Sequence, residues 1–253
     1  MHTIKKLKQT TLLLVGLVVL FACKKENDSD EPQIDSSLPD AYQKFYNVDA
    51  VYQEGDFVVI ECEGIPDHKS PYYDHTAWEN EKYEAYAGSN TGYHQNPNKI
   101  GVQNFTFRIP LNPAEDVVHS ATPMGPIGVA LNGVAIFNQY AAPGDDLAEE
   151  INTFDHYNGH PTGTDTYHYH IEPTYLTSIL GANALIGFLL DGFPVYGPME
   201  DGALITNEDL DAYHGHTHAT AEFPAGIYHY HITSEDPYIN GDGFYGTAGT
   251  VTQ

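Results

Sequence analysis

Six histidines recur in one pattern at two places in this chain. Tyr167-His168-Tyr169-His170 and Tyr228-His229-Tyr230-His231 are the same tetrapeptide, and each is followed by an isoleucine, Ile171 or Ile232. Upstream of each lies an Asp and then a Gly-His pair: Asp155 with Gly159-His160, and Asp211 with Gly215-His216. In an extended strand successive side chains point to opposite faces, so His168 and His170 share one side, as do His229 and His231. The intervening tyrosines then point the other way. A third imidazole from the Gly-His segment, His160 or His216, completes a set of three nitrogens. Three histidines with an open fourth position form a catalytic zinc arrangement, and imidazole suits copper equally. Asp155 and Asp211 are expected to ligate as well, or to accept the second ring N–H of a ligating histidine and fix its tautomer. The competing reading makes these histidines structural, satisfied by backbone or carboxylate. Recurrence of the whole pattern favours metal, because repeated packing does not require histidine in particular.

The elements that must position these groups are short strands and turns. The similarity between the two places extends upstream, where Gly128 to Phe137 parallels Gly187 to Tyr196 at an offset of about 59 residues. Each of these stretches reads as a strand, a tight turn at Asn132-Gly133 or Asp191-Gly192, and a returning strand. Phe57 to Cys62 alternates like a strand with Val58, Ile60 and Cys62 on one face, and Asn104 to Ile109 is a strand stopped by Pro110. Short helices are predicted over Trp78–Tyr86, Asp145–Ile151, Pro173–Leu180 and Asn207–Tyr213. The fold class expected is mainly β with short helices. It would be an internally duplicated, pseudo-symmetric single domain, β-sandwich-like, spanning 41–253 with repeats at about 125–172 and 184–233.

Other residues with chemical potential carry less pattern. His68 and His75 lie among turn signals and are candidates for ligand contact or for plain loop polarity. His156 precedes His160 by four residues, and His214 and His218 flank His216. Cys62 reads as a small buried hydrophobe. Asn240-Gly-Asp-Gly243 reads as a turn, since the remaining ligands of a calcium loop are missing. There is no nucleophile elbow, phosphate-binding loop or dinucleotide fingerprint.

The first residues read as an export signal: Lys5, Lys6 and Lys8, then an apolar run from Leu12 to Phe21, too short to span a bilayer. Cys23, directly after Leu20-Phe21-Ala22, is expected to be the lipidated first residue of a bacterial lipoprotein, with 1–22 as signal peptide and 23–40 as a disordered polar tether. That places the domain in the cell envelope, lipid-anchored, at the outer membrane or its surface. With Cys23 set aside, Cys62 is the sole thiol, so no intrachain disulfide is available. Lys and Arg total 10 against 35 Asp and Glu, for a formal net charge of −25. Nucleic acid is excluded as a partner, because phosphate contacts need clustered cations.

Taken together, the two Tyr-His-Tyr-His-Ile motifs, Asp191-Gly-Phe-Pro-Val-Tyr-Gly-Pro198, Leu131-Asn-Gly-Val-Ala-Ile136 and Gly64-Ile-Pro-Asp-His68 resemble the YHYH-domain proteins over roughly Gly64 to Gly246. The resemblance implies a domain identity and no settled activity. It also implies a Cys between the Asp and the Gly-His; here Tyr157 and Tyr213 lie in those stretches. Three functions stay open at this point. One is a membrane-anchored protein that binds copper or zinc through the duplicated sets. Another is an anchored glycan- or protein-binding module with structural histidines. The third is a metal-dependent hydrolase or oxidase, and the residues alone do not decide whether the protein is an enzyme.

Overall fold

The computed structural model describes residues 31–241 and 243–253. The leader, Cys23 and the first part of the tether lie outside the described residues. The ordered fold starts earlier than residue 41. Gln33–Ile34 pairs in parallel with Ala50 and Val51, and Leu38 is buried, so the expected tether is in part a sheet edge. Ile34 and Leu38 supply the apolar anchors that a purely polar tether would lack.

Most of the chain folds into two sheets that share one apolar core. The smaller has five strands in the order 33–34, 50–54, 57–62, 105–110 and 250–252. Val58, Ile60 and Cys62 face the core as their alternation predicts, and Phe105, Phe107 and Ile109 do the same on the neighbouring strand. Pro110 does not stop its strand before itself. It forms the last pair, with Phe57, at the sheet's end. Phe188 of the larger sheet stacks on Tyr42 and Phe45, at centroid distances of 4.7 and 5.9 Å. Helix content is small, as expected. Thr174–Leu180 is helical as predicted, whereas Trp78–Tyr86 shrinks to Glu79–Lys82 and Asn207–Tyr213 to a single tight turn at Asn207–Asp209. Asp145–Ile151 contains instead the two-residue strand Asp145–Asp146, paired with Tyr140–Ala141, and a tight turn beginning at Glu150.

The larger sheet has eight strands, and their order is a palindrome. From one edge it runs 159–161, 167–169, 135–137, 126–130, and then 185–189, 194–196, 227–231, 215–218. The two central strands pair antiparallel with Val129 opposite Phe188, flanked by Gly128 with Leu189 and Ala130 with Gly187. These registers mirror one another about that central pair. Each hairpin carries a register shift at the same place, between Pro126 and Gly128 and between Leu185 and Gly187. Gly128 and Gly187 are there because a Cβ on either would overlap the opposing backbone. Outward from the centre, 167–169 joins 135–137 in parallel and 159–161 joins 167–169 antiparallel. The other half repeats both relations, 227–231 with 194–196 and 215–218 with 227–231. A two-stranded ribbon follows each hairpin: 140–141 with 145–146, and 199–200 with 203–204. Among the described residues no helix is long and apolar enough to cross a membrane.

Candidate metal centres

Each histidine set sits between an edge strand of the large sheet and its neighbour. His160 lies directly opposite His168, and His216 directly opposite His229. His170 and His231 follow two residues on, at the end of the same face. The loops that deliver the Gly-His pairs are built alike. Asp155 N–H donates to Gly159 O and Asn158 N–H to Asp155 O; Asp211 N–H donates to Gly215 O and His214 N–H to Asp211 O. Asn158 and His214 both take positive φ, 66° and 73°. The following glycines lie under tyrosine rings. A Cβ on Gly159 would strike the Tyr167 ring, and one on Gly215 the Tyr228 ring. That contact explains glycine in the Gly-His pair.

Asp155 and Asp211 do not orient the imidazoles, contrary to expectation. Asp155 accepts from the amides of Tyr157 and Gly159 and from the Tyr167 hydroxyl at 2.8 Å. Asp211 accepts from the amides of Tyr213 and Gly215 and from the Tyr228 hydroxyl at 2.9 Å. The physical reason is strand alternation: each Asp packs under the first tyrosine of its motif, and that tyrosine faces away from the histidines. The second tyrosines are held from the hairpin turns. Tyr230 donates to Asp191 at 2.6 Å, and Tyr169 meets Asn132 at the equivalent position.

In the first set, His160, His168 and His170 are 2–3% exposed. The ring nitrogens of His168 and His170 can be assigned from their partners. His168 Nδ1 lies 3.0 Å from Thr166 O and His170 Nδ1 2.5 Å from Asn138 O. A carbonyl oxygen only accepts, so both Nδ1 atoms carry the proton. The Thr153 hydroxyl, which donates to Glu150 O, lies 2.6 Å from His160 Nδ1, and the Asn96 side-chain amide lies 3.4 Å from the same nitrogen. The neutral His168 and His170 rings therefore present Nε2 lone pairs. Those of His168 and His170 stand 2.8 Å apart, and His160 Nε2 lies 3.3 Å from Glu150 Oε1. His160 Nε2 and Glu150 Oε2 are buried without a hydrogen-bond partner. Burial holds the His160 pKa down to about 3 and that of His170 down to about 4, and burial with its two neighbours holds His168 well below the usual range. Near neutral pH no proton relieves the opposed lone pairs. A cation would.

The second set repeats this arrangement and adds a carboxylate. His229 Nδ1 donates to Ile227 O at 3.0 Å and His231 Nδ1 to Gly197 O at 2.9 Å, leaving their Nε2 atoms opposed at 3.1 Å. Gly197 occupies the place that Asn138 holds in the first half. Glu200 reaches in from its ribbon. Its Oε2 lies 3.2 Å from His216 Nε2, and its Oε1 lies 3.3 Å from His229 Nε2 and 3.8 Å from His231 Nε2. Burial keeps His231 at about 4 and lowers His229. Burial alone would raise the Glu200 carboxyl, but the hydrogen bond from His218 and the imidazoles around it hold it below its ordinary value.

Two groups of donor atoms thus converge closely enough to hold a metal ion: His160, His168 and His170, and Glu200, His216, His229 and His231. The two tyrosine-histidine strands are separated by four others, on the order of 24 Å at ordinary strand spacing, so the groups cannot share one ion. A third, exposed group, Asp74, His75 and Glu79, is a surface cluster of one imidazole and two carboxylates.

The family model for YHYH proteins matches residues 106–203 and 199–242, together more than half of the chain. The chain belongs to the YHYH family. No curated protein and no solved structure matches it. Within this YHYH protein both converging groups fall inside the matched segments. Sequence reasoning missed Glu200 and Glu150. Glu200 lies on the second ribbon where the first has Ala141, so comparison of the halves points away from it. Glu150 comes from a tight turn with no periodic signal.

The remaining histidines serve elsewhere. His68 is buried on the tyrosine side, with Nε2 3.1 Å from the Tyr169 hydroxyl. His214 is buried against the Thr233 hydroxyl, 3.0 Å away, and His156 lies 3.4 Å from Glu84. His75 is exposed. Cys62 is buried, contacts Gly133 O at 3.2 Å, and is pushed up to about 12 by burial, which leaves it inert as a thiolate.

Proposed function

We propose that this YHYH protein binds transition-metal ions, one in each histidine set, with copper or zinc the ions its donors suit. The observation that carries the reading is the opposed Nε2 lone pairs in both sets, each buried and each with its Nδ1 proton already committed. Like-signed acceptors at such separations are costly in a low-dielectric interior and are resolved by a cation. Three imidazole nitrogens, joined in the second set by a carboxylate oxygen and nowhere by a thiolate, match the preferences of Zn2+ and Cu2+. The carbonyls at Thr166, Asn138, Ile227 and Gly197 fix the tautomers of His168, His170, His229 and His231, as outer-shell partners do in metal proteins. The leader and Cys23 support an envelope location with a lipid anchor, where such a protein would meet metal arriving from outside.

The test is elemental analysis of protein purified without chelator or polyhistidine tag and dialysed at length. Two equivalents of copper or zinc are expected. The His168→Ala/His170→Ala pair and the His229→Ala/His231→Ala pair should each lose one. Protein that retains no metal and takes up none on titration defeats the reading.

A further inference from the structure

The two sets differ in access, and the difference carries a function. None of the first set's three imidazoles is more than 3% exposed. In the second set His229 and His231 are as deeply buried, but the side chains of His216 and Glu200 are 26% and 19% exposed, and Glu200 and His231 line a cleft of about 330 Å³. That volume is at the small end of ligand-binding clefts. Its walls also include Tyr196, whose ring packs 5.0 Å from that of His229, with Thr220 and Glu222. The Tyr196 hydroxyl donates to Glu222 Oε2 at 2.7 Å, and the Thr220 hydroxyl lies 2.7 Å from the same phenolic oxygen. Lys44 pairs with the other Glu222 oxygen. With Tyr196 donating to Glu222, the Thr220 proton goes to Tyr196. The wall therefore shows a visitor acceptors: carboxylate and hydroxyl oxygens whose own protons are spoken for. Asp201 adds a further negative charge at the rim.

We propose that the Glu200, His216, His229, His231 set is a ligand-accepting metal centre. It would take a small neutral molecule that offers a nitrogen or oxygen lone pair to the metal and an N–H or O–H to the cleft wall, such as an alcohol or azole. The His160, His168, His170 set is closed to such ligands. Anions are disfavoured because Glu200 and Asp201 offset the charge of a divalent ion, and the Lys44–Glu222 pair adds none. This inference rests on the metal-binding reading and goes further by naming which set reacts and with what class of ligand.

The experiment loads the protein with Co2+, whose visible absorption reports its ligands, and titrates with imidazole and with azide. Imidazole is expected to shift the bands of the wild type and of His168→Ala/His170→Ala with the same midpoint. Azide should require concentrations at least about tenfold higher. Ala221→Trp changes an exposed cleft residue, and it should fill the space and abolish the imidazole response while cobalt uptake stays at two equivalents. Bands that ignore imidazole although cobalt occupies the Glu200 set overturn the inference and leave the metal reading standing. So does a response that survives His229→Ala/His231→Ala, or tighter binding of azide than of imidazole. Failure to take up cobalt, zinc or copper at all defeats the metal reading itself.

Discussion

His168 Nε2 and His170 Nε2 face each other at 2.8 Å, and neither nitrogen has a proton to offer the other. Without an ion this contact opposes folding, and with one it supports it. The His170→Asn change separates the two cases, because an Asn amide can still donate to the Asn138 carbonyl while removing one lone pair. Metal-free His170→Asn should melt within about 3 °C of the metal-free wild type, or above it. Metal at a hundredfold its dissociation constant should add about 2.7 kcal/mol per site to the wild type. The variant should gain from its intact second site only. Thermal melts with and without chelator read both effects.

Acid should destabilise the metal-free protein well before its carboxylates are neutralised. An unfolded histidine takes up its proton near pH 6.5, whereas His160 does so in the fold at about 3 and His170 and His231 at about 4. Between these values the unfolded chain binds more protons, so stability rises with pH. The contribution is full above about pH 6.5 and declines as pH falls towards 4. Urea midpoints measured at pH 7.5, 6 and 5 should drop steadily. A flat profile would contradict the reading of these histidines as neutral, burial-depressed imidazoles.

Glu200→Gln keeps the shape of the side chain and removes the charge that faces His216, His229 and His231. Metal at that set should bind at least about tenfold more weakly, as expected for loss of an anionic ligand. Metal at His160, His168 and His170 should be unchanged. Competition against a chromophoric chelator would resolve the two affinities, and equal weakening of both would count against two independent sites.

Asp155→Ala should cost stability without costing metal. It strands the buried Tyr167 hydroxyl and two turn amides, a loss of about 1–3 kcal/mol. Asp211→Ala should cost half as much or less, because Asp211 is exposed and water can replace it. Metal content at saturation should stay at the wild-type value in both. Denaturant unfolding and elemental analysis on the same samples check the pair of claims.

The histidines were legible in the sequence because strand alternation is a strict rule: a residue two positions on returns to the same face. The same rule placed the tyrosines opposite and could have warned that Asp155 and Asp211 belong with them. A five-residue separation alone does not say which face a loop Asp meets. Hairpins at Asn132-Gly133 and Asp191-Gly192 were legible because their turns need positive φ, and both glycines have it, 77° and 84°. Glu200 was not legible, since its place depends on a two-residue ribbon whose partner in the first half carries Ala141. The predicted helices shortened wherever polar turn residues, rather than an apolar stripe, had suggested them. Thr174–Leu180 survived because Leu176 anchors it in the core.

Both histidine sets straddle the outermost seam of the large sheet. His160 and His216 belong to edge strands of three and four residues, and their partners belong to the strands next in. Short edge strands are the parts of a sheet that fray first. An ion held across that seam would act as a clasp, fastening each end of an open sheet to its interior. Among the described residues the free cysteine is buried Cys62, and two such clasps would do the work that cross-links between cysteines do in other domains. Chelation would then loosen the sheet from its two ends inward and leave the glycine-lined centre for last.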